Sequence, residues 1–172
     1  MRIGFILDDL ISDTSSLLKS ELKSDVYPFS KYGIEKFGSM LKPSVIVRAK
    51  PFVEAIDVIN LLRKRGYLIN IFCDRPRNLF TVTSAWLKRF DIRFDSLVFT
   101  MDKATVARDM KITSFVDVDF NSLIDFTNYD RMVFSKLVLF EKSYNMEKNH
   151  PRFIRAKSWN DIRKVLTRRS YA

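Results

Sequence analysis

The sequence predicts an α/β domain, with a central parallel sheet, crossover helices and a small helical insert after the first strand. Three observations predict it. Short apolar, strand-like runs alternate with helix-like segments along the chain. The first of these runs, Ile3 to Leu7, is continuously apolar, as a central strand buried on both faces must be. A length of 172 residues suffices for one hydrophobic core and not for two, so residues 1–172 are read as a single domain.

Each element has a local reason. Leu68 to Phe72 is the second strand, Leu97 to Phe99 the third, Phe115-Val116 the fourth, and Met132 to Phe140 contains a fifth. The first crossover helix is expected to start at Pro51 as its N1 residue. Phe52, Ala55, Ile56, Ile59 and Leu62 repeat at helical spacing until Gly66 stops the run, and Arg63-Lys64-Arg65 suits the last turn. A second helix follows Pro76, with Leu79, Val82, Thr83, Trp86 and Leu87 on one face. A third starts near Lys103, and a fourth runs through Leu123, Ile124 and Phe126. The last begins after the N-cap Ser158, turns Trp159, Ile162, Val165 and Leu166 inward, and leaves Arg163, Lys164, Arg168 and Arg169 outward. Residues of about 14–50 break the alternation. They read as one or two short helices (Leu17, Leu18, Leu22; then Ile34, Phe37, Met40, Leu41), a cap over the carboxyl ends of the strands, where open α/β sheets bind ligands.

Composition narrows the function classes. The chain is 47% hydrophobic with 15 Phe, 4 Gly and 5 Pro, which excludes disordered and low-complexity organisation. One cysteine, Cys73, excludes an intrachain disulfide, and one histidine, His150, leaves little for a Cys/His zinc site. The apolar run ending at Asp8-Asp9 predicts no signal peptide and no membrane partner, hence a reducing, cytoplasmic setting. The formal charge is +10, and from Lys142 onward nine basic residues face only Glu147 and Asp161. Such an excess points to a polyanionic partner. Arg155, Lys157, Arg163, Lys164, Arg168 and Arg169 are the expected nucleic-acid-binding set, against the simpler reading of a solvated charged face. In the insert, Tyr27, Phe29 and Tyr32 interleave with Lys23, Lys31 and Lys36 as candidate stacking groups.

Several pieces in order carry a resemblance: Ile3 to Asp9, then Gly66-Tyr67 leading to Ile71-Phe72-Cys73-Asp74-Arg75-Pro76, then Trp86-Leu87. Asp102-Lys103-Ala104, Phe115-Val116-Asp117, Tyr144-Asn145 and Ser158-Trp159 extend it. Together they resemble the haloacid-dehalogenase-like (HAD) phosphatases, and more narrowly the 5'(3')-deoxyribonucleotidase branch with a small helical cap. The resemblance implies a Rossmannoid three-layer sandwich. It also implies a nucleophilic Asp after the first strand, an acid Asp two residues on, a phosphate-holding Thr or Ser, a Lys, and acidic residues that help bind Mg²⁺.

Laid on this chain, the nucleophile position is Ile6, the acid is Asp8, the hydroxyl position is Cys73, the lysine is Lys103, and the acidic motif is Asp117 followed by Val118. A register with Asp8 as nucleophile puts Leu10 at the acid position, and Asp117 with Asp119 offers an alternative acidic pair; neither restores the full set. Asp8, Cys73, Lys103 and Asp117 are therefore read as relics of a site, with no catalytic residue and no metal or other cofactor expected. Each also has a plainer role: Asp8 a turn residue, Cys73 a buried small hydrophobe, Lys103 a solvated helix start, His150 a loop residue. The expectation is a catalytically degenerate protein that binds nucleic acid or a nucleic-acid-handling machine, such as an accessory or regulatory factor of a polymerase complex. Two alternatives stand beside it: a residual or re-purposed nucleotidase that uses Mg²⁺, and a protein-docking module.

Overall fold

A computed structural model describes residues 1–22 and 41–168. Six strands form one parallel sheet: β1 (Arg2–Ile6), β2 (Leu68–Cys73), β3 (Ser96–Phe99), β4 (Ser114–Asp117), β5 (Lys136–Phe140) and β6 (Phe153–Ala156). Their order across the sheet is β3-β2-β1-β4-β5-β6. The expected neighbours are in place, with Phe5 of β1 opposite both Ile71 of β2 and Val116 of β4. β1, β2 and β4 are buried almost throughout, which is why their sequences are apolar without alternation. Gly4 is required by a close approach: a Cβ there would lie 2.4 Å from the Phe115 ring, which packs edge-on against Phe72.

Among the described residues seven α-helices accompany the strands: α1 (Thr14–Leu22), α2 (Pro43–Arg48), α3 (Val53–Lys64), α4 (Phe80–Arg89), α5 (Lys103–Asp109), α6 (Phe120–Phe126) and α7 (Trp159–Thr167). From β1 to β3 the chain steps one way along the sheet, and from β3 to β4 and β5 it steps the other way. Right-handed crossovers therefore put α3 and α4 on one face and α5 and α6 on the opposite face. α7 packs beside α3, α5 beside α6, and the sandwich has its three layers. The reversal falls between β1 and β4, so their carboxyl ends flank the crevice where such sheets place ligands.

Three details depart from expectation. Pro51 is not the N1 residue of α3, which starts two residues later. Pro51 instead forms an antiparallel bridge with Ser12, tying the far end of the insert to the loop after β1. β6 was not anticipated, because Phe153-Ile154-Arg155-Ala156 is short, follows Pro151 and sits at the sheet edge with Ile154 exposed. Of the insert, α1 and α2 lie within the described residues. They pack on each other, α2 packs on α4, and the Trp86 indole N–H donates to the Ala49 carbonyl at 2.8 Å. Of the second expected insert helix (Ile34, Phe37, Met40, Leu41) only Leu41 is described, buried in the loop before α2; the rest of it, the candidate stacking groups Tyr27, Phe29 and Tyr32 with Lys23, Lys31 and Lys36, and Arg169 lie outside the described residues.

Candidate functional site

The loops leaving β1, β2, β4 and the start of α5 converge at the carboxyl edge of the sheet. Ile6 ends β1 and is 4% exposed, a buried alkyl group at the position where the resemblance puts the nucleophile. Asp8 follows, buried, and is gripped from both sides. Arg75 donates Nε to its Oδ2 at 3.0 Å and Nη2 to its Oδ1 at 2.6 Å, while the Thr14 hydroxyl donates to Oδ1 at 2.6 Å. The third guanidinium nitrogen, Nη1, donates to the Thr83 hydroxyl at 2.9 Å. Arg75 itself is buried, so a planar fork-on-fork pair fills the space directly above β1 and β2.

Asp9 takes a left-handed backbone, φ 62°, which Asp tolerates better than most residues. That turn aims its carboxylate at the start of α1, where the Ser15 N–H donates to Oδ1 at 2.8 Å and the Ser15 hydroxyl donates to Oδ2. Burial pushes the Asp9 carboxyl up to about 7 in spite of those bonds. Lys142 lies nearby, its ammonium over the rings of Phe52 and Phe140. Its pKa is lowered by burial, against the pull of Asp9 and Asp13.

A second cluster adjoins the first. Lys103, the first residue of α5, is buried, with Nζ 2.8 and 3.0 Å from the two Asp74 oxygens and 3.6 Å from Asp117 Oδ2. Burial works against its charge, but Asp117 and Asp74 outweigh it and hold the ammonium firmly protonated. Asp74 is raised to about 6 by burial, opposed by Lys103. Asp117 ends β4 fully buried. Its Oδ1 accepts from the Val118 and Asp119 amides at 2.7 and 3.0 Å, and its Oδ2 from the Ser122 hydroxyl at 2.9 Å. Burial raises its pKa as well.

The four candidate positions Asp8, Cys73, Lys103 and Asp117 therefore do come together, and two of their plainer readings need correction. Lys103 is no solvated helix start; it is a buried counter-ion. Asp8 is more than a turn residue, since it anchors Arg75. Cys73 matches its plain reading: fully buried, its thiol donating weakly to the Val98 carbonyl at 3.7 Å and pushed up by burial, so no thiolate is available as a nucleophile. The residues that sequence reasoning missed are Arg75, Asp74 and Asp9. The available signal was Asp74-Arg75 directly after an apolar strand, two charges where the crevice had to be.

These groups do not fit a Mg²⁺ ion. Asp8 is held by a guanidinium, Asp117 by backbone amides, a serine and a lysine, and the positions where the resemblance would put two further carboxylates are Ile6 and Val118. Among the described residues no cluster of three or more acidic, histidine or cysteine side chains is placed to hold a metal.

The basic residues expected to bind nucleic acid lie on β6, on the loop after it and along α7. The Arg155 guanidinium braces the turn before β6 through the Asn145 and Lys148 carbonyls and lies 3.5 Å from Glu141. Exposed Lys157 stands at that same carboxyl edge. Arg163 bonds Asn160 on the outer side of α7, and exposed Lys164 and Arg168 lie toward its far end. His150 is a loop residue whose ring lies tilted against Phe153.

No family model matches the chain, and no curated protein does. Solved structures do. A HAD phosphatase from Thermococcus onnurineus is similar with a TM-score of 0.65 at 12% identity, covering 96% of this chain and 97% of that one. A predicted phosphatase from Clostridium acetobutylicum gives the same four values. The L-2-haloacid dehalogenase from Xanthobacter autotrophicus, with chloropropionic acid covalently bound, gives 0.62 at 12% identity over 96% and 97%. The fold is HAD-like along nearly its whole length. At such identities the likeness speaks for the fold alone.

Proposed function

We propose that this chain is a catalytically degenerate HAD-fold protein, derived from the deoxyribonucleotidase branch, that works by binding. Its partner is nucleic acid or an assembly that handles it, for example as an accessory or regulatory factor of a polymerase complex. The observation that carries the loss of catalysis is the Asp8–Arg75 pair above Ile6. A general acid must present its proton to a leaving group. Here the retained carboxylate is buried and spent on a guanidinium, beside an alkyl side chain that has no lone pair to attack phosphorus. The binding half rests on the charge of +10, which favours polyanions.

The test has two arms. Pure protein is assayed for phosphate release from deoxyribonucleoside monophosphates with Mg²⁺, where no turnover is expected; release that Asp8→Asn abolishes would overturn the degenerate reading. Capture of partners from lysate with and without nuclease then separates nucleic-acid binding, lost with nuclease, from protein docking, which survives it.

A further inference from the structure

Every crossover helix runs from the carboxyl edge of the sheet back to its amino edge, and the charge is not shared evenly between the two. At the carboxyl edge the paired cations are Arg75 with Asp8, Lys103 with Asp74 and Asp117, and Arg155 and Lys157 with Glu141. The amino edge has its own pairs, Arg63–Asp95, Arg93–Asp91 and Arg108–Asp109, and a set of exposed cations beyond them. Its parts are tied together by backbone and side-chain bonds. Leu68 N–H donates to the Met1 carbonyl at 3.0 Å, Thr113 N–H to the Arg2 carbonyl at 3.0 Å, and Ser135 N–H to the Thr113 carbonyl at 2.9 Å. Lys136 Nζ, at the start of β5, caps the end of α7 through the Val165 and Arg168 carbonyls at 2.8 and 2.6 Å. α7 therefore finishes at this edge beside the end of α3.

Exposed Lys64, Arg65, Arg2, Lys111, Arg131 and Arg168 all stand on that edge, and none of them forms a salt bridge among the described residues. The strip runs from β2 across β1 and β4 to β5, about 14 Å between the outer strands at the usual spacing. A duplex presents one charge per roughly 1.7 Å of its axis, so a strip of that length meets on the order of eight phosphate charges. Among the described residues the one exposed aromatic ring, Phe80, stands near the carboxyl edge, just after the Pro76 turn. The rings nearest the amino edge, Tyr67, Phe94 and Tyr129, are half-buried against the core, so that edge offers cations more than an open stacking platform, and base stacking is what single-strand binding draws on.

We infer that the amino edge of the sheet, opposite the HAD site crevice, is a docking strip for the phosphate backbone of a nucleic-acid duplex. This rests on the binding reading above and gives it a surface. The outward face of α7 then contributes chiefly through its end, Arg168, while Arg155 and Lys157 take no part.

The experiment titrates the full chain with a 20-base-pair DNA duplex, the matching single strand, and anionic phosphatidylserine vesicles at several salt concentrations. Two variants accompany it. The edge variant carries Lys64→Gln, Arg65→Gln, Lys111→Asn and Arg131→Gln, with Asn chosen because Lys111 has φ 57°. The control carries Lys42→Gln, Lys50→Gln and Lys157→Gln near the other edge. For the parent, log affinity for duplex is expected to fall with log salt at a slope of roughly −4 to −5. The folded edge variant should bind at least about 30-fold more weakly at low salt, with a slope near roughly −1 to −2, and the control should bind like the parent. If the parent binds none of the three probes, the binding reading fails and this inference with it. If the parent binds duplex but the folded edge variant does so equally well, the inference alone fails. Tighter binding to single strand or to vesicles than to duplex also overturns it.

Discussion

Arg75 shows most directly how the crevice beside Ile6 is filled. Its guanidinium meets Asp8, 67 positions earlier, in a bidentate pair from which water is excluded. A buried pair is a weak source of net stability, but removing one partner strands the other. Arg75→Met should therefore cost about 3–5 kcal/mol in urea unfolding, because Asp8 keeps only Thr14 and a charge with nowhere to go. Adding Asp8→Leu should recover much of that loss. A small cost for the single change, or no recovery in the double, would mean that water reaches the pair. The candidate positions Asp8, Cys73, Lys103 and Asp117 were legible as sequence because each lies at or just beyond a strand end or at a helix start with its own local pattern. The partnership of Asp8 with Arg75 was not. Nothing local tells a guanidinium which of four nearby carboxylates it will face; only the register of β1 against β2 decides it.

At the scale of elements, the strands and crossover helices were readable because burial on both faces and helical spacing leave direct marks in the sequence. β6 and the start of α3 were harder: an edge strand needs few apolar residues, and Pro51 serves a bridge to Ser12 better than a helix start. The opening of α1 depends on a contact that no periodicity encodes. Asp9 turns through a left-handed backbone to accept the Ser15 amide and hydroxyl, joining the β1 loop to the insert. Its carboxyl is raised to about 7 by burial, and Asp74 to about 6. The unfolded chain releases those protons near pH ~4. Between the two values the folded state binds more protons than the unfolded one, so stability falls as pH rises from about 4 to about 7 and levels off above. Asp9→Asn keeps an acceptor for the Ser15 amide and has no charge to bury. Its stability should be flatter across that window and should exceed the parent's at pH 8, as read from urea midpoints. Parallel pH profiles for parent and variant would show that Asp9 already titrates as an ordinary surface carboxyl.

For the whole molecule, the two edges of the sheet have gone separate ways. The edge that faces ligands in open α/β sheets holds buried ion pairs, Asp8–Arg75 and Lys103 with Asp74 and Asp117, and a row of exposed cations stands at the opposite edge. A net charge of +10 repels itself, and the repulsion is strongest where unpaired cations crowd together. Salt screens exposed charges over a Debye length of ~10 Å at 0.1 M, which is shorter than the strip, while pairs shut inside the fold feel it far less. Stability should therefore rise with sodium chloride from 20 to 300 mM, by on the order of 1 kcal/mol, or roughly 2–4 °C in melting temperature for a domain of this size. The edge variant should start higher at low salt and gain less, because four of the repelling charges are gone. The carboxyl-edge control, whose lysines lie outside the strip, should follow the parent. Thermal melts of the three proteins across the salt series decide it without any nucleic acid present. If the edge variant and the control respond alike, the repulsion is spread over the whole surface. The amino edge is then no more strained by its cations than any other part of the molecule.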